Sequence, residues 1–176
     1  MRFTQLDIAG AYVIDLEPHR DARGFFARTF CAREYEKRGL VATFAQCSTS
    51  FNVRRGTLRG MHYQVAPHEE AKVVRCTAGS IVDVIVDMRA GSPTYARWCS
   101  TELTARNRRT LYIPPGIAHG FQTLEDDTEV FYQISLEYVP SAARGIRWND
   151  PQLGIEWPIC DPVLSPRDAA FPDLST

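Results

Sequence analysis

Two histidines stand in segments of similar build. One is Gly56-Thr57-Leu58-Arg59-Gly60-Met61-His62-Tyr63-Gln64, with a glycine six residues before its histidine. The other is Pro114-Pro115-Gly116-Ile117-Ala118-His119-Gly120-Phe121, which reads Pro-x-Gly-x-x-His. An imidazole titrates near neutral pH, so each can move a proton or hold a metal. Metal chemistry fits poorly. Gln64 lies two residues after His62 and Lys72 follows, and two histidines alone make a poor divalent site.

These spacings resemble the two cupin motifs, which deliver ligands from facing strands of a small β-barrel. Here Gln64 replaces a second histidine, and Lys72 stands where an acidic ligand is expected. The frame of a metal site is present with its charge reversed.

The elements that must carry these residues are mainly strands. Many short apolar runs are punctuated by Gly, Pro and Asn, the pattern of a barrel or sandwich. Ala71 to Thr77, Ala78-Gly79-Ser80 and Ile81 to Met88 read as a hairpin. In its second strand Val82, Val84, Val86 and Met88 share one face, and Asp83 and Asp87 share the other with Ile81 and Ile85. Glu129 to Tyr138 reads as one strand, with Val130, Tyr132, Ile134, Leu136 and Tyr138 on one face pointing inward. A short helix is predicted over Ala32 to Arg38, closed by Gly39. From about residue 141 the chain is Pro-rich and irregular. Within it Ser165-Pro166-Arg167-Asp168 has the form of a helix start, with Ser as N-cap and Pro at the first position. Such a tail is expected to pack over a mouth or an edge.

The chain has 176 residues, enough for one domain with a real core, so 1–176 reads as a single unit. Its net charge of -1 gives no global field for nucleic acid or acidic membranes. The basic run Arg106-Asn107-Arg108-Arg109 reads as a solvated turn. Five cysteines, Cys31, Cys47, Cys76, Cys99 and Cys160, form no C-x-x-C pair, which favours reduced thiols over a disulfide framework. No apolar run approaches the roughly 20 residues of a membrane span, and no leader pattern opens the chain. A cytoplasmic protein is expected.

The chain resembles the dTDP-4-dehydrorhamnose 3,5-epimerase family of cupin-fold deoxysugar enzymes. The matching stretches are Asp21-Ala-Arg-Gly-Phe-Phe26, Gly56 to Gln64, Lys72-Val-Val-Arg75, Asp83 to Arg89, Ser92-Pro-Thr94, Ile113 to Phe121, Tyr132, Trp148-Asn-Asp-Pro151 and Ser165 to Asp168. They run in the family's order along nearly the whole chain. The resemblance implies a cupin, or jelly-roll, β-barrel with a few short helices, no metal and no cofactor. It also implies a nucleotide-sugar substrate and a homodimer with exchanged N-terminal strands. The activity implied is inversion of carbons next to a ketone. His62 is then the base, paired with Asp168. Lys72 faces the ketone oxygen, where an ammonium stabilises developing negative charge. Tyr132 is the acid on the opposite side of the sugar, and His119 a polar contact. Arg23, Arg59 and Arg167 match phosphate and nucleotide contacts, for which the planar guanidinium is suited. Tyr138 matches a base-stacking tyrosine; Phe26, Gln46 and Ser48 complete the substrate-binding set.

Arg59 and His62 have opposite parity, so a regular strand sends them to opposite faces. A bulge at Gly60 is the expected remedy. Arg28, Ser48 and Ala143-Arg144 depart from residues the family uses toward the nucleotide, whereas the proton-transfer set is intact. Three rivals stay open: an epimerase acting at only one carbon, a 3,5-epimerase on a different nucleotide sugar, and a cupin that binds a sugar nucleotide without turnover.

Overall fold

The computed structural model describes residues 1–174. In chain order the strands begin with β1 (Arg2–Gln5), β2 (Tyr12–Asp15), β3 (His19–Asp21) and β4 (Gly24–Phe26), followed by helix α1 (Ala32–Glu36). There follow β5 (Gln46–Asn52), β6 (Leu58–Gln64), β7 (Lys72–Ala78), β8 (Ser80–Asp87) and β9 (Trp98–Thr104). The chain continues through β10 (Thr110–Ile113), β11 (Ile117–Thr123), β12 (Thr128–Ile134), β13 (Ala143–Gly145) and α2 (Pro166–Ala169). Two antiparallel sheets form the jelly roll. One runs β1-β2-β10-β7-β12-β5 and the other β13-β6-β11-β8-β9, with β3 and β4 as a separate hairpin.

The space between the sheets is filled by Ile81, Ile85, Leu111, Ile113, Phe121, Val130 and their neighbours. Val84 and Val86, on the other face of β8, pack instead under Ile146, Leu153, Ile155 and Trp157 of the C-terminal stretch. That second layer is why β8 is apolar on both faces. The outer face of the six-stranded sheet is covered by Tyr35 of α1, with Phe30 and Phe44 packed beside it. Each sheet is thus covered outside over part of its face, while the outward side of β5 stays open at Cys47, Thr49 and Phe51.

Three local expectations need correction. The α1 helix ends at Glu36, before Arg38; Gly39, at φ +69°, does close the turn by donating its N–H to Glu36 O. The β12 strand stops at Ile134, so Leu136 and Tyr138 do not continue its inward face and both are exposed. The physical reason is pairing: β12 runs out of partners where Ile134 meets Lys72 and Gln46. The tail is also less irregular than expected, since β13 adds to the five-stranded sheet beside β6.

The Arg59 and His62 parity is resolved by the β6–β11 pairing. His119 pairs with His62 and Phe121 with Arg59, so a two-residue step on β11 faces a three-residue step on β6. The extra residue is a bulge, and it turns both side chains to the same cleft. Gly60 is required there. Its φ is +147°, and a Cβ would lie 2.5 Å from Gly120 Cα.

Candidate active site

The open end of the barrel holds two adjoining clefts. The larger, about 470 Å³, is lined by Ser48, Arg59, His62, Lys72, His119 and Tyr132 among others. The smaller, about 200 Å³, is lined by Gln46, Tyr138, Ala143 and Arg167, and shares His62 and Lys72 with the first. Strand register explains the grouping. Ser48, Tyr132 and Val74 form one row of the six-stranded sheet, and Gln46, Ile134 and Lys72 another. Across the barrel, His62, His119 and Ile85 form a row of the second sheet.

His62 Nε2 lies 2.8 Å from Asp168 Oδ1. Asp168 is buried, which by itself raises a carboxyl. The His62 hydrogen bond and charge, the Gly60 N–H and Ser165 outweigh this and hold it below the usual carboxylate range. An ionised carboxylate only accepts, so Nε2 carries the proton and Nδ1 the lone pair. The α2 helix delivers this partner: Asp168 N–H donates to Ser165 Oγ at 3.1 Å, capping the helix, while the carboxylate turns to the imidazole. Phe171, one turn on, packs edge-on to His62 with ring centroids 5.5 Å apart.

Lys72 Nζ meets Glu70 Oε1 at 2.9 Å and donates to the His62 carbonyl at 3.4 Å. His119 Nε2 lies 2.9 Å from Asp83 Oδ2 on β8, and its ring is edge-on to Tyr132 at 5.9 Å. Asp83 is fully buried, and burial raises its carboxyl despite the His119 contact and the Lys72 charge. Burial, then the Asp83 charge, pushes the Tyr132 phenol well above its ordinary value, so it stays protonated. Arg59 donates Nε to Asn52 Oδ1 at 2.7 Å, which leaves further N–H groups of its fork for an anion. Gln64 sits at the cupin ligand position but donates to Glu70 Oε2 and accepts from Val139 N–H at 2.6 Å. Among the described residues, no three His, Cys, Asp or Glu side chains converge as a metal site.

Of the residues singled out in the sequence, His62, Lys72, His119, Tyr132, Arg59, Ser48, Gln46, Tyr138 and Arg167 line the two clefts. Asp168 stands directly behind His62. Arg23 and Phe26 are not brought to the clefts of their own chain. They lie on the β3–β4 hairpin, where Arg23 pairs with Asp21 and Phe26 is 77% exposed. Arg28 lies beside Glu34 of α1, whereas Ser48 and Ala143 do line the clefts. Sequence reasoning missed Glu70 and Phe171. Glu70 has the same strand parity as Lys72, and Phe171 follows Asp168 by three residues; those were the available signals.

The model of the dTDP-4-dehydrorhamnose 3,5-epimerase family matches residues 5–176. A dTDP-4-dehydrorhamnose 3,5-epimerase of Sinorhizobium fredii is 40% identical over 99% of this chain and 90% of its own. The Legionella pneumophila dTDP-6-deoxy-D-glucose-3,5-epimerase, solved with dTDP-4-keto-L-rhamnose, superposes with a TM-score of 0.90 at 37% identity, covering 98% of this chain and 92% of its own. A 3'-monoepimerase from Streptomyces bikiniensis, solved with dTDP-quinovose, gives 0.88 at 35% identity, covering 96% and 85%.

Proposed function

From the premise that this chain belongs to the dTDP-4-dehydrorhamnose 3,5-epimerase family, we propose that it inverts C3 and C5 of dTDP-4-dehydro-6-deoxyglucose, giving dTDP-4-dehydrorhamnose. The observation that carries the reading is one cleft lined by His62, backed by its own carboxylate, and by Tyr132 from the opposite sheet, together with the Lys72 ammonium.

The C4 ketone acidifies the C–H bonds at C3 and C5. His62 Nδ1 takes the proton, and the C–H electron pair moves through the new C=C bond onto the C4 oxygen. Asp168 stabilises the imidazolium that forms, and Lys72 and His119 stabilise the enolate oxygen. The enolate then collapses and carbon takes a proton from Tyr132 on the other face, which inverts the centre. Solvent removes the proton from His62 and restores the one on Tyr132, so each inversion carries in one solvent hydrogen. The cycle repeats at the second carbon. No cofactor is needed, because Lys72 supplies the charge a Lewis acid would.

The smaller cleft, with Gln46, Tyr138 and Arg167, holds the nucleotide, and Arg59 faces the diphosphate. Arg23 and Phe26 act in the site of a second subunit, in a homodimer that exchanges N-terminal strands; their exposure on a projecting hairpin supports this. The five cysteines are all free, which suits the cytoplasm. Among the described residues no helix is long and apolar enough to cross a membrane.

Turnover of dTDP-4-keto-6-deoxyglucose in deuterated water tests the reading. Deuterium at both C3 and C5 is expected. Exchange at one carbon would instead establish a mono-epimerase, the activity of the similar Streptomyces bikiniensis enzyme. No exchange would leave a binding module.

A further inference from the structure

Resting on the epimerase reading, we propose that Glu70 is a positioning residue: its carboxylate fixes the Lys72 ammonium at the junction of the two clefts and, through Gln64, ties it to the backbone beside Tyr138. Glu70 lies in the loop before β7 and is 9% exposed, as is Lys72. Both carboxylate oxygens are used. Oε1 meets Lys72 Nζ at 2.9 Å and Oε2 accepts from Gln64 Nε2 at 2.9 Å. Gln64 in turn accepts from Val139 N–H at 2.6 Å and donates to the His68 carbonyl at 3.0 Å. An unbroken chain of contacts thus runs Lys72–Glu70–Gln64–Val139, from the oxygen-binding charge to the segment carrying Tyr138.

An ammonium has three N–H donors. Glu70 and the His62 carbonyl occupy two of them, leaving one direction for a ligand oxygen. A long lysine side chain held this way loses its freedom before substrate arrives, so its charge needs no reorganisation when the enolate forms. The carboxylate also balances a buried charge that would otherwise stand alone. Neither function requires Glu70 to touch the substrate.

Glu70→Gln keeps the shape and removes the charge. Because Lys72 acts on charge that develops only in the transition state, kcat should fall at least tenfold while KM and dTDP affinity stay within about twofold. Glu70→Asp, which restores the carboxylate, should recover part of the loss. Rates are taken per folded molecule, with sites counted by dTDP titration, so that a loss of folding does not pass for a loss of catalysis. Unchanged kcat per site in Glu70→Gln would overturn the proposal, as would equal loss in Glu70→Gln and Glu70→Asp. A wild-type protein that exchanges no deuterium would instead overturn the epimerase reading itself.

Discussion

His62 Nε2 and Asp168 Oδ1 lie 2.8 Å apart although 106 residues separate them in sequence. The contact fixes the tautomer of the ring. In the proposed mechanism it leaves Nδ1 as the basic nitrogen and sets a carboxylate behind the imidazolium that abstraction would create.

His62→Asn removes the proposed base. Turnover and deuterium exchange should both fall by about 10²–10⁴-fold. Asp168→Asn should cost less, on the order of tenfold or more, because the ring remains while its orientation and countercharge weaken. Exchange measured by NMR decides this; unchanged exchange in His62→Asn would remove it as the base.

Tyr132→Phe separates abstraction from delivery. With the acid gone, His62 can still take a proton and return a deuteron to the same face. Exchange with retained configuration should persist while inverted product falls at least ~10²-fold. Loss of both together would mean that Tyr132 acts earlier than the final protonation.

The same dyad links stability to pH. The Asp168 carboxyl titrates below its ordinary value in the folded protein, the effect of burial being outweighed by its His62, Gly60 and Ser165 contacts. Its contribution is therefore fully present above the unfolded value of about 3.9 and is lost as pH falls through the folded value. The difference in melting temperature between wild type and Asp168→Asn should hold steady well above the unfolded value of about 3.9 and shrink as pH falls below it.

Gly60→Ala tests the bulge. The new Cβ would meet Gly120 Cα at 2.5 Å, at a φ of +147° that side chains rarely adopt. Stability should fall by about 3 kcal/mol, combining overpacking with backbone strain. Denaturant unfolding measures the loss.

The proposal that the smaller cleft holds the nucleotide also predicts its selectivity. Ala143 offers it only a methyl group beside Arg144 and Arg167. Discrimination of dTDP from UDP, CDP and GDP should then be modest, within roughly tenfold, or about 1.4 kcal/mol. Titration of the four nucleotides would contradict this if dTDP bound far more tightly than the rest.

Much of this protein is set by local rules. Alternation along β8 and the inner part of β12, the Ser165 cap of α2 and the Gly39 close of α1 follow from neighbouring residues, and so they were legible in the sequence. The two histidine segments and the lysine likewise carried the resemblance. Tertiary structure gave the expected Gly60 bulge its register and supplied two features that the sequence did not. The bulge that puts Arg59 and His62 on one side depends on how β6 pairs with β11, and the end of β12 depends on where its partners stop. Asp168 behind His62 was implied by the resemblance, but Asp83 behind His119 and Glu70 behind Lys72 reach them from β8 and the β6–β7 loop. Which distant acid meets which base is set by strand register and by the packing of the tail, and these have no period along the chain.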